Sequence, residues 1–241
     1  MNRFFIDECD GKTALLKGGD FKHCKNVLRL RENDQVYLVI DEKEYIGRIE
    51  SFGDDTVFCT VVEESKYKRE ADLKINLYQC LPKASKMELI VQKNTEVGVA
   101  AIIPVISHRT VVKLSDKKRE LKKVDRWSKI AMEAAKQSMR NIVPVVDEIV
   151  SFKEMISMLK ENGGDIIVPY EDEDNLGLND IEIEGNIANV IIGPEGGFEA
   201  LEIEELKNAG AKIVTLGPRI LRTETAGIVV NSILMYKTKN I

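Results

Sequence analysis

The sequence predicts an α/β protein in two parts: a small β-barrel, then a larger domain in which strands alternate with helices around a largely parallel sheet. Three observations carry that prediction. The length of 241 residues is enough for two separate cores. Residues 1–68 hold short alternating runs divided by turn residues, whereas residues 73–241 alternate apolar strand-like runs with helical patterns. A charged stretch from Glu63 to Asp72 lies where the pattern changes and reads as the linker.

In the first part the runs are RFFI, TALLK, DQVYLVI, YIGRIESF and TVFCTVV, separated by turns such as Phe52-Gly53-Asp54-Asp55. One helical stretch interrupts them, from Asp20 to Leu30, with Phe21, Val27, Leu28 and Leu30 as its apolar residues. In the second part the predicted strands are LKINLYQCL, AAIIPVI, VPVVDEIV, DIIVPY, NVIIG and KIVTLG. A helix is predicted from Lys83 to Val97, stopped by the C-cap glycine Gly98. Another is predicted over Leu121 to Arg140, started near Ser115 and Asp116, with Trp127, Ile130, Ala131 and Ala134 on one side. At about 100° per residue, Arg126, Lys129, Lys136 and Arg140 of that helix fall within about 80° of one another and form a basic stripe. The last run, AGIVVNSILMY, is apolar around most of its circumference and suits a helix buried on more than one side.

With 44% hydrophobic and 31% charged residues, the composition is that of an ordinary soluble protein. No apolar run approaches the ~18 residues of a membrane span, and the N-terminus, MNRFFIDECD, has no signal-peptide pattern. The expected location is therefore the cytoplasm, with no membrane partner. Four cysteines without a CxxC pair argue against a zinc ribbon or a redox motif, and two histidines leave little for a metal or a Ser-His-Asp site. No metal is expected. Net charge is −5, but Arg109 to Arg140 holds 11 Lys or Arg against 4 Asp or Glu, while Asp147 to Glu184 holds 2 against 12. A concentrated basic segment in an acidic protein has the form of a phosphate-backbone contact, and equally of a solvated helix face.

The chemistry-bearing stretch is ANVIIGPEGGFEALEIEELKNAGAKIVTLGPRILRTETAG. There is no GxxxxGK[ST], and no GxGxxG follows the first strand of the second part, so neither a P-loop nor a dinucleotide fingerprint is present. Gly193, Gly196 and Gly197 instead let the backbone approach a flat ligand closely, with Pro194 stiffening the turn; the alternative is a tight strand-to-helix turn and nothing more. A second glycine-proline turn follows the next strand, and in a parallel sheet both turns fall at the carboxyl edge, where ligands gather.

IIGPEGGF, LGPRILRTETA, KASKMELIVQKNTEVGV and AAKQSMR, together with the N-terminal MNRFF and HCKNVLRL, resemble the motifs of the RsmE family. Its members methylate N3 of a uridine in 16S ribosomal RNA of the small ribosomal subunit, using S-adenosylmethionine. The resemblance implies a PUA-like, RNA-holding barrel over 1–68, a SPOUT domain with a deep trefoil knot over 73–241, and a homodimer with the methyl-donor site near its interface. It places the donor against Val168, Pro169, Gly193, Glu195, Gly196, Gly197, Leu216, Gly217, Ile220, Leu221, Thr225 and Ala226. Loss of the N3 proton builds negative charge on the base, which Arg222 is placed to stabilise, while Glu224 or Glu195 accepts the proton or fixes the arginine. For RNA contact the candidates are Arg3, His23, Lys25 and Arg29 in the first domain, then Lys86, Lys93, Arg109, Arg126, Lys136 and Arg140 in the second. Two departures from the family pattern stand out: Glu199 where a helix-capping serine is usual, and Lys136-Gln137-Ser138-Met139-Arg140 where EQSxR is usual. The rival functions are a SPOUT methyltransferase acting on another RNA atom and a non-catalytic RNA-binding or ribosome-assembly protein.

Overall fold

The computed structural model describes residues 1–83, 85–111 and 116–241. Ala84 of the predicted first helix and Ser115 before the second lie outside the described residues. The chain divides into two compact units, Met1–Glu70 with Met139–Ile142, and Ala71–Ser138 with Val143–Ile241.

In the first unit five strands, β1 (Arg3–Phe5), β2 (Thr13–Lys17), β3 (Gln35–Ile40), β4 (Lys43–Phe52) and β5 (Thr56–Glu64), form one sheet in the order β1-β3-β4-β5-β2. The β1–β3 pair is parallel and the others are antiparallel. Register shifts at Ile46/Gly47 and Ile49/Ser51 bend β4 against β5. A single core takes a residue from every strand: Phe4, Leu16, Leu38, Ile49 and Val57. The predicted helix is shorter than expected. Helix α1 (Gly18–Lys22) passes into a π-helical turn over His23–Val27, and Arg29 follows at φ 53°. This turns Phe21 and Cys24 inward and leaves Val27 66% exposed, so Val27 is not part of the buried face.

Two of the expected RNA contacts are corrected in this unit. Arg3 pairs with Glu44, both side chains being about 1% exposed, and its guanidinium donates to the Arg140 carbonyl and to Asn141 Oδ1 at 2.7 Å each. Arg140 in turn donates to Glu70 at 2.8 Å, and the same carboxylate accepts from the Asn141 and Ile142 amides. Both arginines thus staple Met139–Ile142 into the interior of the unit, where a polyanion has no access. Burial, then the charge of Arg69, lowers the Arg3 guanidinium to about 10. Removing one member of a buried ion pair strands its partner and costs about 3–5 kcal/mol. Glu44→Ala is therefore expected to lower the urea midpoint of unfolding strongly; an unchanged midpoint contradicts the staple.

The second unit is built on a seven-stranded sheet, parallel throughout, with the order β12-β10-β11-β6-β7-β8 and β9 also paired to β7. Its strands are β6 (Lys74–Cys80), β7 (Ala101–Ile106), β8 (Val145–Val146), β9 (Val150–Ser151), β10 (Asp165–Pro169), β11 (Ile187–Ile192) and β12 (Lys212–Val214). The expected strand VPVVDEIV is instead two short pairings separated by Asp147, Glu148 and Ile149, and the Asp147 amide bonds the Ile102 carbonyl. Adjacent residues Leu77 and Tyr78, Ile102 and Ile103, and Val190 and Ile191 enter different cores. A parallel sheet buried on both faces needs apolar residues at successive positions, which is why these strands read as continuous apolar runs.

Helices α2 (Lys86–Val97), α3 (Lys117–Gln137) and α6 (Thr223–Lys237) contribute to one core, and α4 (Phe152–Asn162) and α5 (Ala200–Asn208) to the other. Gly98 ends α2 in the left-handed region at φ 108°, as its sequence predicts. Asp116 caps α3 by accepting from the Lys118 amide at 3.1 Å. At the other end Ser138 closes α3 and Met139 takes φ 62°, so Arg140 leaves the helix and is not part of the basic stripe. Among the described residues no helix is long and apolar enough to cross a membrane.

Candidate active site

The carboxyl ends of β10, β11 and β12 lie side by side, with Pro169 opposite Val214 and β11 alongside. A loop leaves each end, so the sheet's parallel order brings the two glycine-proline turns together as the sequence predicts.

In the first turn the Gly197 amide donates to the Pro194 carbonyl at 3.0 Å. Of its three glycines Gly197 is the one the backbone demands: its φ is 69°, and a Cβ there would point into the Glu171 carboxylate. Gly196 has no such constraint, since a Cβ would meet Arg109 at an ordinary 3.5 Å. Arg109, from the segment after β7, donates to the Gly196 carbonyl at 2.9 Å and lies 3.6 Å from Glu199. Glu199, in the place of a capping serine, also meets His108 Nδ1 at 2.9 Å, while Glu202 accepts from the His108 and Glu199 amides. Arg109 is thereby a brace of the turn, already engaged.

The second loop begins with the Thr215 amide donating to the Leu176 carbonyl at 2.8 Å. Gly217 stands at φ 93° with no atom within 4 Å of where a Cβ would be, so its backbone is open to a ligand. Leu216 and Leu221 pack against the core, whereas Ile220 is 88% exposed. Val168 and Ala226 are buried in the two cores, Pro169 is half-buried, and Thr225 is exposed on α6.

Two side chains absent from the sequence-based candidates tie these loops together. Thr223 donates through Oγ1 to the Gly193 carbonyl at 2.7 Å and accepts from Gln79 Nε2 at 2.9 Å. Gln79 is fully buried at the end of β6, and its Oε1 has no hydrogen-bond partner among the described residues. The signal for it is visible in LKINLYQCL, where a glutamine interrupts the apolar end of the run. A buried amide needs partners, and here one of them fixes the glycine turn.

Lys86 makes a second tie. Its Nζ lies 3.2 Å from Glu195 and 3.2 Å from Glu224, so one ammonium joins the first turn to the first turn of α6. Bonds to Glu195 and then Glu224 raise the Lys86 ammonium above its ordinary value. Burial pushes Glu195 up, but the Lys83 amide, its own amide and Lys86 outweigh it and hold the carboxyl below its ordinary 4.5. Its stabilising charge is therefore complete above pH 4.5 and is lost as pH falls through the lowered value. Arg222, by contrast, is exposed at the N-cap of α6 and has no acidic partner among the described residues.

The remaining cations are scattered. Lys93 bonds Glu96 at 2.9 Å, Arg126 bonds Glu88 at 2.8 Å, and Lys136 is half-buried on α3. In the first unit His23, Lys25 and Arg29 are exposed, Lys25 over the Phe21 ring at 5.2 Å. Burial raises the Cys59 and Cys80 thiols to about 12, which removes them as nucleophiles.

Residues 69–235 match the RNA methyltransferase domain family, and residues 16–62 match the RNA methyltransferase PUA domain. Fold and site together thus define an RNA methyltransferase with a PUA domain before it, the α/β class expected from the sequence. The chain is 36% identical to ribosomal RNA small subunit methyltransferase E of Bacillus subtilis, over 99% of this chain and 98% of that protein. It is 33% identical to the Aquifex aeolicus protein of the same name, over 98% and 99%. The crystal structure of a ribosomal RNA small subunit methyltransferase E from Neisseria gonorrhoeae bound to S-adenosyl methionine matches with a TM-score of 0.85 at 33% identity, covering 98% of both chains. This chain belongs to the ribosomal RNA small subunit methyltransferase E family.

Proposed function

We propose that this protein transfers a methyl group from S-adenosylmethionine to N3 of a uridine in 16S ribosomal RNA of the small ribosomal subunit, acting in the cytoplasm as a homodimer. The observation that carries the reading is the pair of glycine-proline loops joined through Thr223 and Gly193 at the carboxyl edge of the sheet. The residues fit the methyl donor: Gly217 offers open backbone, Ile220 an uncovered apolar side chain, and Gln79 Oε1 a buried acceptor with no partner among the described residues. The donor supplies the methyl group as a sulfonium. Leu216, Gly217, Ile220 and Leu221 would cover the flat part of the ligand, with Pro169, Gly193 and Gly196 giving backbone groups and Val168 and Ala226 the wall behind. Glu195 and Gly197 shape the turn, and Thr225 faces outward beside it.

Arg222 is the group available to stabilise the charge that builds on uracil as the N3 proton leaves, because no acidic side chain among the described residues already holds it. Glu224 and Glu195 remain the carboxylates nearest in sequence to the two loops, but Lys86 engages both. The lowered Glu195 is a weak proton acceptor, and bracing the loop is the stronger of its two roles. Lys86→Met is accordingly expected to weaken S-adenosylmethionine binding severalfold in calorimetric titration, with Lys86→Arg largely restoring it. Unaltered affinity in Lys86→Met would mean that Lys86 does not hold the loops.

The trefoil knot belongs to the same proposal. Its support is the path of the chain: β12 is laid at the far edge beyond β10, yet α6, which follows it, returns to pack on β11 and β6. Ile228, Val229 and Ile233 of α6 stay partly exposed, which supports a second copy covering them. The first unit is read as an RNA-holding domain, with His23, Lys25 and Arg29 as its exposed cations, and Lys93, Arg126 and Lys136 adding to the field of the second. Radiolabelled methyl transfer tests the substrate class: label is expected in small subunits lacking the modification, and label in transfer RNA alone contradicts the reading.

A further inference from the structure

We propose that the cleft between the β6–α2 turn and α3 is a subsite for one nucleotide of the single-stranded RNA flanking the target, with its base against the apolar wall that Leu81, Pro82, Met87 and Trp127 form and its phosphate on Lys123. The inference rests on the methyltransferase reading above and adds a site to it. The cleft has a volume of about 300 Å³ and is lined by Leu81, Pro82, Met87 and Trp127, with Glu88, Lys123 and Arg126 at its margin; Glu88 pairs with Arg126 at 2.8 Å, so Lys123 is the cation left to meet a phosphate. Apolar walls with a few polar groups are what a flat aromatic ligand needs, and the volume is at the lower end for small-ligand sites.

Charge complementarity selects a nucleotide over an uncharged occupant. Between Lys117 and Arg126, α3 carries six Lys or Arg against Glu120 and Asp125, within a chain of net charge −5. Lys123 is exposed, with no acidic partner among the described residues, and lies one helical turn before Trp127 on the same face. Trp127 is 7% exposed, so a small part of a largely buried indole meets the cleft. A base packed on an apolar wall beside a free lysine is bound with little regard to its sequence and adds to the phosphate contact.

Position links the cleft to the reaction. Leu81 and Pro82 follow the carboxyl end of β6 directly, and Ser85 and Met87, which line the cleft, flank Lys86, whose ammonium holds Glu195 and Glu224. A nucleotide in the cleft is therefore held beside the loops assigned to the donor, where it fixes the strand on which the target uridine lies.

The protein contains one tryptophan, so its emission reports the cleft directly. A five-nucleotide oligouridylate titrated into the full chain at low salt is expected to quench Trp127 saturably. Polyphosphate of similar charge is expected to leave the emission unchanged, and Lys123→Glu is expected to weaken the quenching titration roughly tenfold. S-adenosylmethionine affinity should stay the same in that variant. Oligouridylate binding by fluorescence anisotropy without quenching, equal quenching by polyphosphate, or quenching indifferent to Lys123→Glu would each overturn the subsite. Failure of the unaltered protein to bind S-adenosylmethionine would instead strike at the methyltransferase reading, while the quenching titration alone decides for or against the cleft.

Discussion

Replacing Gly197 with valine is expected to weaken S-adenosylmethionine binding by roughly ten- to a hundredfold. Gly197 stands at φ 69°, a region that a β-branched residue adopts only with strain of about 1–3 kcal/mol. The Glu171 carboxylate in front of it can swing aside, but the backbone angle cannot be relieved without opening the turn that the Gly197 amide closes on Pro194. Gly196→Ala supplies the contrast: its φ is ordinary and a Cβ meets only Arg109 at 3.5 Å, so binding should stay within a few fold. Calorimetric titration of both variants, with circular dichroism to verify folding, distinguishes the two glycines. Wild-type affinity in a folded Gly197→Val protein would make the turn irrelevant to the donor.

Arg222→Ala is expected to lower turnover by about a hundred- to a thousandfold, the usual loss when one charge-stabilising donor is removed. Donor affinity should change only severalfold, because Arg222 caps α6 through its backbone and that contribution survives the substitution. Single-turnover transfer separates the two effects: a slow chemical step with near-normal donor binding supports the role, and normal turnover removes Arg222 from the reaction. Arg222→Lys keeps a charge but not the planar fork, so it should recover only part of the rate.

The two glycine-proline loops are legible in the sequence because their glycines and prolines follow continuous apolar runs, and a parallel sheet puts such loops on one edge. VPVVDEIV misleads for a local reason: its alternating apolar residues look like one strand, but Asp147 sits between two short pairings with β7. Charged side chains are the least legible. Arg3 near the N-terminus resembles any surface cation, and its burial depends on Glu44 and on a backbone carbonyl 137 residues away. Arg140 has the spacing of a basic stripe, but the turn at Met139 carries it inward. Lys86 can be nominated for RNA and Glu195 and Glu224 for catalysis, yet their mutual engagement is a long-range fact that spacing does not encode. Thr223 and Gln79 escape notice for the same reason, although the lone glutamine in an apolar strand is a visible sign that something buried has to be bonded.

The departures from the family pattern acquire a use in the structure. Glu199 replaces a neutral cap with a carboxylate that meets both His108 and Arg109, and Arg109 in turn holds the Gly196 carbonyl. Gln137 ends α3 and Ser138 closes it by bonding back to the Ala134 carbonyl at 2.8 Å, which sets up the turn into Met139 and Arg140. Neither substitution lies in the open part of the second glycine-proline loop.

The most direct test of the central claim is to incubate the protein with labelled S-adenosylmethionine and small ribosomal subunits that lack the modification, digest the RNA, and identify the labelled nucleoside by mass spectrometry. Recovery of 3-methyluridine from 16S ribosomal RNA is the predicted result. Label in a ribose-methylated nucleoside or in another base, or no label despite donor binding, would contradict it.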